Sequence, residues 1–174
     1  MLIPANILRG ERLETIVTSM FMHGGVIHLV FNMYFAWVFC DDLENVYGHW
    51  FFLVFYILCG VGAAIIHILF TLAVESIWHL GLLYVPCLGA SGALFGVLAA
   101  YGFFFPRRKL RIVYLYGQYT ITARNFAIIY AVIETLMIVF SVIDNVAHTA
   151  HVGGFITGLA IAYIHKRLTG VKIE

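Results

Sequence analysis

The sequence predicts an all-α polytopic membrane protein, a helical bundle with five transmembrane spans. Apolar residues make up 63% of the 174 residues and charged residues 11%, with a mean hydropathy of +0.96. Soluble domains carry about a quarter charged residues, so too few polar side chains remain here to make a hydrated shell. Apolar stretches near the roughly twenty residues of a helical span recur along the chain. The basic residues gather in loops that an alternating path places on one side.

The first stretch runs from about Phe21 to Cys40 and is interrupted by His23, His28 and Asn32. The second, Trp50 to Leu72, holds no charged residue. The third runs from about Leu88 to Phe105, the fourth from Phe126 to Ile143 and the fifth from about Ala147 to Ile164. The third and fifth are short, as expected where a helix end faces a water-filled cavity rather than lipid. Eight of the ten basic residues (Arg107, Arg108, Lys109, Arg111, Arg124, Lys166, Arg167 and Lys172) follow the third and fifth stretches. The positive-inside rule makes those loops and the C-terminus cytoplasmic. Spans one, three and five then run inward from the outer face. The first twenty residues contain Arg9, Glu11, Arg12 and Glu14 and do not read as a cleavable signal peptide.

A net charge of +1 without a basic-aromatic patch argues against nucleic acid. Cys40, Cys59 and Cys87 are odd in number and far apart, and read as small packing residues rather than a disulfide framework or metal pair. No cofactor or metal is expected. The partners expected are the lipid bilayer and other membrane proteins.

Chemistry-bearing residues fall at the outer ends of the three inward-running spans. His28 and Asn32 lie four apart, on one helical face. Ser91 opens the third span within Gly89-Ala90-Ser91-Gly92. His151 opens the fifth within Ala150-His151-Val152-Gly153-Gly154. A serine becomes a nucleophile when a neutral histidine takes its proton, and His, Asn and backbone N–H groups can stabilise an oxyanion. A carboxylate at this depth would cost about 2.5–3.5 kcal/mol or more, which favours a Ser–His dyad. Gly92 and Gly96 lie one turn apart, as do Gly154 and Gly158, a spacing that lets membrane helices approach backbone to backbone. His148 competes with His151 as base, but only His151 has a glycine three residues on. His49, His67, His79 and His165 read as packing residues. Glu134, in mid-span, should be functional or locally paired, with structural hydrogen bonding the first expectation.

These motifs resemble those of the rhomboid intramembrane proteases, in the family's order, over about Thr18 to Lys166. His23-Gly24-Gly25-Val26-Ile27-His28-Leu29-Val30-Phe31-Asn32 is similar to the family's H-x4-H-x3-N pattern; Gly89-Ala90-Ser91-Gly92 and Ala150-His151-Val152-Gly153-Gly154 are similar to its G-x-S-G and A-H-x-x-G patterns. The resemblance implies a single rhomboid-type protease domain over residues 1–174. It implies Ser91 as nucleophile, His151 as general base, and His28, Asn32 and the Ser91 N–H as oxyanion donors. Phe95 is implied to pack on the His151 ring and His23 to support the site. The implied substrates are membrane proteins with helix-destabilised transmembrane segments. Glu14 and Thr15 stand where the family often carries a Trp-Arg pair. The family core has six spans and this chain five, and five spans put Met1 outside. The expectation is therefore that a preceding span is missing from this chain, with a complete five-span protein as the alternative. A prokaryotic cell membrane is expected, with the site opening on the extracytoplasmic side. Rival readings are a non-catalytic rhomboid-like binding protein, and a metal site or transporter using His23, His28, His148 and His151.

Overall fold

A computed structural model describes residues 1–140 and 147–172. Two short helices, α1 (Pro4–Leu8) and α2 (Thr15–Thr18), and a 3-10 turn (Ser19–Phe21) precede the bundle. Five longer helices follow: α3 (Val26–Tyr47), α4 (His49–Trp78), α5 (Ser91–Phe104), α6 (Ala123–Phe140) and α7 (His148–Thr169). They match the five apolar stretches in order. By length and composition α3, α4 and α6 suffice to cross a membrane, and α5 is a shorter apolar helix. In α7 the His, Thr and Gly residues dilute the apolar character, and α7 is sheltered between α4 and α5.

Several boundaries differ from the sequence expectation. Helix α3 begins at Val26, because the backbone is still extended at Gly25; His23 therefore precedes the helix instead of interrupting it. The connection between the first two apolar stretches shrinks to Gly48, whose φ of +75° breaks the chain between two helices. Helix α4 continues to Trp78, six residues beyond the apolar stretch, and ends on the left-handed His79. The expected basic loop contains an antiparallel hairpin, β1 (Lys109–Tyr114) and β2 (Gly117–Thr122), with Tyr114 opposite Gly117 at the turn. The β-branched residues Ile112, Val113, Thr120, Ile121 and Thr122 were the available signal. The fourth stretch was expected to reach Ile143; its last three positions lie outside the described residues.

Helix α5 is the centre of the bundle, with Gly92 through Gly102 all buried. Aromatic side chains from α3, α4 and α5 (Phe39, Phe55, Tyr101, Phe104) fill the space toward its C-terminal end. At that end Asp42 of α3 accepts hydrogen bonds from Tyr101 Oη at 3.0 Å and from Arg108 Nη1 at 3.3 Å. His165 of α7 packs edge-on against Tyr47 there, at 4.7 Å between ring centroids. The α3–α4 junction, the hairpin and the C-terminal end of α7 thus share one end of the bundle, as an alternating path requires. At the other end Leu2 and Cys87 exchange backbone hydrogen bonds of 2.9 and 2.7 Å.

The α5–α7 contact is made by backbone. A methyl group added to Gly154 would collide with the Gly92 carbonyl oxygen, and one added to Gly158 with the Gly96 backbone. On the α4 side a Cβ at Gly92 would lie 2.8 Å from that of Ala63. Backbone atoms cannot move aside as a side chain can. Gly154→Ala and Gly158→Ala should therefore each lower stability by about 1–3 kcal/mol, the usual cost of overpacking. Gly25→Ala, where an added Cβ meets nothing within 4 Å, should stay within about 1 kcal/mol. Equilibrium unfolding in detergent micelles measures all three.

Candidate active site

The site is built where three helix ends meet a strapped loop. The segment before Gly89 is held at Cys87 by an antiparallel bridge to Leu2. Gly89 then takes φ +119°, and its N–H donates to the Ser19 carbonyl at 3.0 Å. A side chain is excluded there twice: by the left-handed backbone, and because a Cβ would lie 2.9–3.0 Å from the His28 ring. This turn starts α5 at Ser91, so the first N–H groups of the helix point outward without intrahelical acceptors.

His151 lies in the first turn of α7, and its Nε2 is 2.8 Å from Ser91 Oγ. Its ring stacks on Phe95, with centroids 4.4 Å apart and planes 10° from parallel. Phe95 sits one turn after Ser91, so one helix carries both the hydroxyl and the surface that orients the imidazole. His151 and Asn32 are buried, at 9% and 5% exposure. Asn32 Nδ2 donates to the His28 carbonyl at 2.9 Å, one turn back on α3. The Gly24 N–H donates to His28 Nδ1 at 3.3 Å. In the neutral ring that leaves the proton on Nε2, the nitrogen that faces Gly89. A cavity of about 450 Å³ is lined by Ser91, His151, His28, Asn32, Gly89 and Phe95 together with Leu2, Ser19 and Glu134.

Gly92 and Cys87 also line this cavity, and the other candidates fall outside it. His23 packs its ring on His28 at 5.4 Å and 74°, but faces a second cavity beside Met33 and Tyr56. Its buried Nε2 has no hydrogen-bond partner among the described residues. Gly96, Gly154 and Gly158 lie along the α5–α7 contact. Glu14 is exposed and accepts a hydrogen bond from Arg12 Nε at 3.0 Å, which holds its carboxyl below the usual range. Thr15 beside it is buried and donates to the Arg12 carbonyl. The three cysteines are free, and burial pushes the Cys87 thiol up to about 11.

The expectation of a site without a carboxylate does not hold. Glu134 of α6 places Oε2 2.8 Å from His151 Nδ1 and 2.6 Å from His148 Nδ1. Glu134 was legible in the sequence as a costly mid-span residue, but its partners were not, because they come from a different helix. His148 touches the same carboxylate, one turn of α7 from His151. His67, read as a packing residue, also has a hydrogen-bonding partner, Thr149 Oγ1 at 2.6 Å.

The ligating atoms of Glu134, His148 and His151 lie within 4.8 Å of one another. A tetrahedral zinc with bonds of about 2.0 Å would hold nitrogen and oxygen about 3.3 Å apart. The observed 2.6 and 2.8 Å are hydrogen-bond separations. The four histidines of the rival metal reading fall into two pairs: His148 and His151 meet Glu134, while His23 packs its ring on His28.

Comparison with known proteins agrees with the motif resemblance. The Rhomboid domain family model matches residues 10–168. The chain is 32% identical over 151 residues to the "Presenilin-associated rhomboid-like protein, mitochondrial" of Bos taurus, covering 85% of this chain and 37% of that protein. It is 35% identical over 153 residues to "Presenilin-associated rhomboid-like protein A, mitochondrial" of Danio rerio, covering 86% and 37%. Over 160 residues it is 26% identical to "RHOMBOID-like protein 6, mitochondrial" of Arabidopsis thaliana, covering 91% and 45%. The chain thus spans less than half the length of these relatives. Their mitochondrial names give no support to the prokaryotic membrane expected from the sequence.

The two histidines on Glu134 are separable by experiment. A fluorophosphonate reagent that labels an activated serine should label the wild-type chain at Ser91 and fail on His151→Ala. His148→Ala should label at a rate within about tenfold of wild type, because the Ser91–His151 contact does not pass through it. Equal loss in both variants would mean that the base is wrongly assigned.

Proposed function

The chain belongs to the rhomboid family, and from that membership and the site geometry we propose that it is an intramembrane serine protease. The observation that carries this reading is the 2.8 Å contact of Ser91 Oγ with His151 Nε2, at a cavity among the helices of the bundle. In this reading Ser91 attacks a peptide carbonyl of another membrane protein as its proton passes to His151 Nε2. The oxyanion is met by the Ser91 N–H, the His28 Nε2–H and the second N–H of the Asn32 amide. His151 returns the proton to the leaving amine, leaving an acyl-enzyme on Ser91. A water deprotonated by the same histidine releases the acyl group.

A helical substrate hides its peptide bonds, so the segment to be cut must unwind into the cavity. That favours transmembrane segments with Gly, Pro or small residues near the scissile bond. The cavity lies at the opposite end of the bundle from the basic hairpin segment and the C-terminal end of α7. With those basic segments on the cytoplasmic or equivalent side, the site opens on the other face.

The test is cleavage of a panel of helix-destabilised membrane substrates by the purified chain in detergent. Ser91→Ala and His151→Ala should each abolish cleavage with melting temperature retained, and the double variant should be no worse than either single one. Substantial cleavage by well-folded Ser91→Ala protein would falsify the protease reading and leave a binding function. Asn32→Ala should lower kcat by about a hundred- to a thousandfold, the typical worth of one oxyanion donor, with little change in KM. A weakened KM with unchanged kcat would instead make Asn32 a substrate-binding residue.

A further inference from the structure

One largely buried titratable group beside the site has no part in the chemistry so far. Glu134 lies twelve per cent exposed on α6, with one carboxylate oxygen touching the outer ring nitrogens of both His148 and His151. A carboxylate at membrane depth is costly unless it is paired and hydrogen-bonded. Two ring N–H donors on a single oxygen supply that compensation. The arrangement also has a direct consequence for His151. A carboxylate only accepts, so each Nδ1 carries the proton, and the neutral His151 then has no proton on Nε2. That bare nitrogen faces the Ser91 hydroxyl at 2.8 Å. Which ring nitrogen of a histidine is protonated is set by the hydrogen bond the other makes. Phe95, stacked flat on the ring, holds its plane.

We infer that Glu134 is a positioning residue of the same site, fixing His151 in the tautomer and orientation that accept the Ser91 proton, so that the unit is a Ser91–His151–Glu134 triad. This rests on the protease reading. The protons balance without any gain or loss at Glu134. As Ser91 Oγ bonds to the acyl carbon, its proton moves to His151 Nε2; the Nδ1 proton stays shared with Glu134. When the C–N bond breaks, the Nε2 proton leaves with the amine. The carboxylate meanwhile faces the transient imidazolium across 2.8 Å, where a neutral acceptor would stabilise it less. His148 holds the carboxylate from the far side, and so acts one step further from the chemistry.

A purely structural role, tying α6 to α7, makes a different prediction. Glu134→Gln keeps the shape and one acceptor oxygen but removes the charge and the obligatory acceptor. In the triad, kcat should fall about ten- to a hundredfold or more with KM within about threefold, at an unchanged melting temperature. If kcat stays within about threefold, or falls only in step with lost stability, Glu134 is a helix tie. Should Glu134→Gln fail to fold, the wild-type chain decides: with 15N-labelled histidine, the NMR spectrum should show His151 protonated at Nδ1 and bare at Nε2. The opposite tautomer overturns the inference. If the wild-type chain neither cleaves a substrate nor labels at Ser91, the protease reading fails, while the tautomer measurement still reports separately on Glu134.

Discussion

The backbone contact between α5 and α7 is the constraint on which the site depends. Ser91 and His151 are sixty residues apart in sequence, and each sits in the first turn of its own helix. Their side chains are short, so the helices must approach more closely than ordinary side-chain packing allows. Gly92 and Gly96 facing Gly154 and Gly158 permit this, and any Cβ at Gly154 or Gly158 would meet a main-chain atom. No hydrophobic effect favours apolar burial over lipid exposure here, so the association draws on close van der Waals contact. The same residues that hold the bundle together thereby set the distance between Ser91 and His151.

The second constraint is charge in a medium that solvates it poorly. Most polar groups around Ser91 are neutral, and each is tied to backbone or to another side chain: Asn32 to the His28 carbonyl, His28 to the Gly24 N–H. Glu134 is the exception, and two imidazoles surround its charged oxygen. The end of the bundle that carries Ser91 thus gathers polar groups tied to one another under a segment that straps Leu2 to Cys87 and Ser19 to Gly89. The strap contributes to the cavity wall, so the N-terminal residues are part of the site's enclosure. At the opposite end, Asp42 plays the complementary role, accepting hydrogen bonds from Tyr101 and Arg108 and so joining α3 to α5 and the segment after it.

Local pattern carried much of this structure in one dimension. Five apolar stretches were legible because lipid demands continuous apolar length. The turn before Ser91 was legible because glycine flanks it, and the resemblance to a protease family because its residues recur at short spacings. The hairpin at Lys109–Thr122 was missed because basic residues and a loop-like position outweighed a short β-branched pattern. The ends of α3 and α4 were misplaced because helices continue past the apolar run into the interface, where backbone hydrogen bonding still favours them.

The sequence by itself determined a helical membrane protein, the alternation of its spans, and Ser91, His151, His28 and Asn32 as the residues able to carry chemistry. Only the tertiary structure decided what each of them touches. It separated His151 from His148, turned His23 away from the cavity, and brought Glu134 of α6 onto the back of an imidazole from α7. Spacing along one helix reports which residues share a face. It says nothing of which neighbouring helix that face meets, because that is set by the rotation and close approach of whole helices, summed over all their contacts.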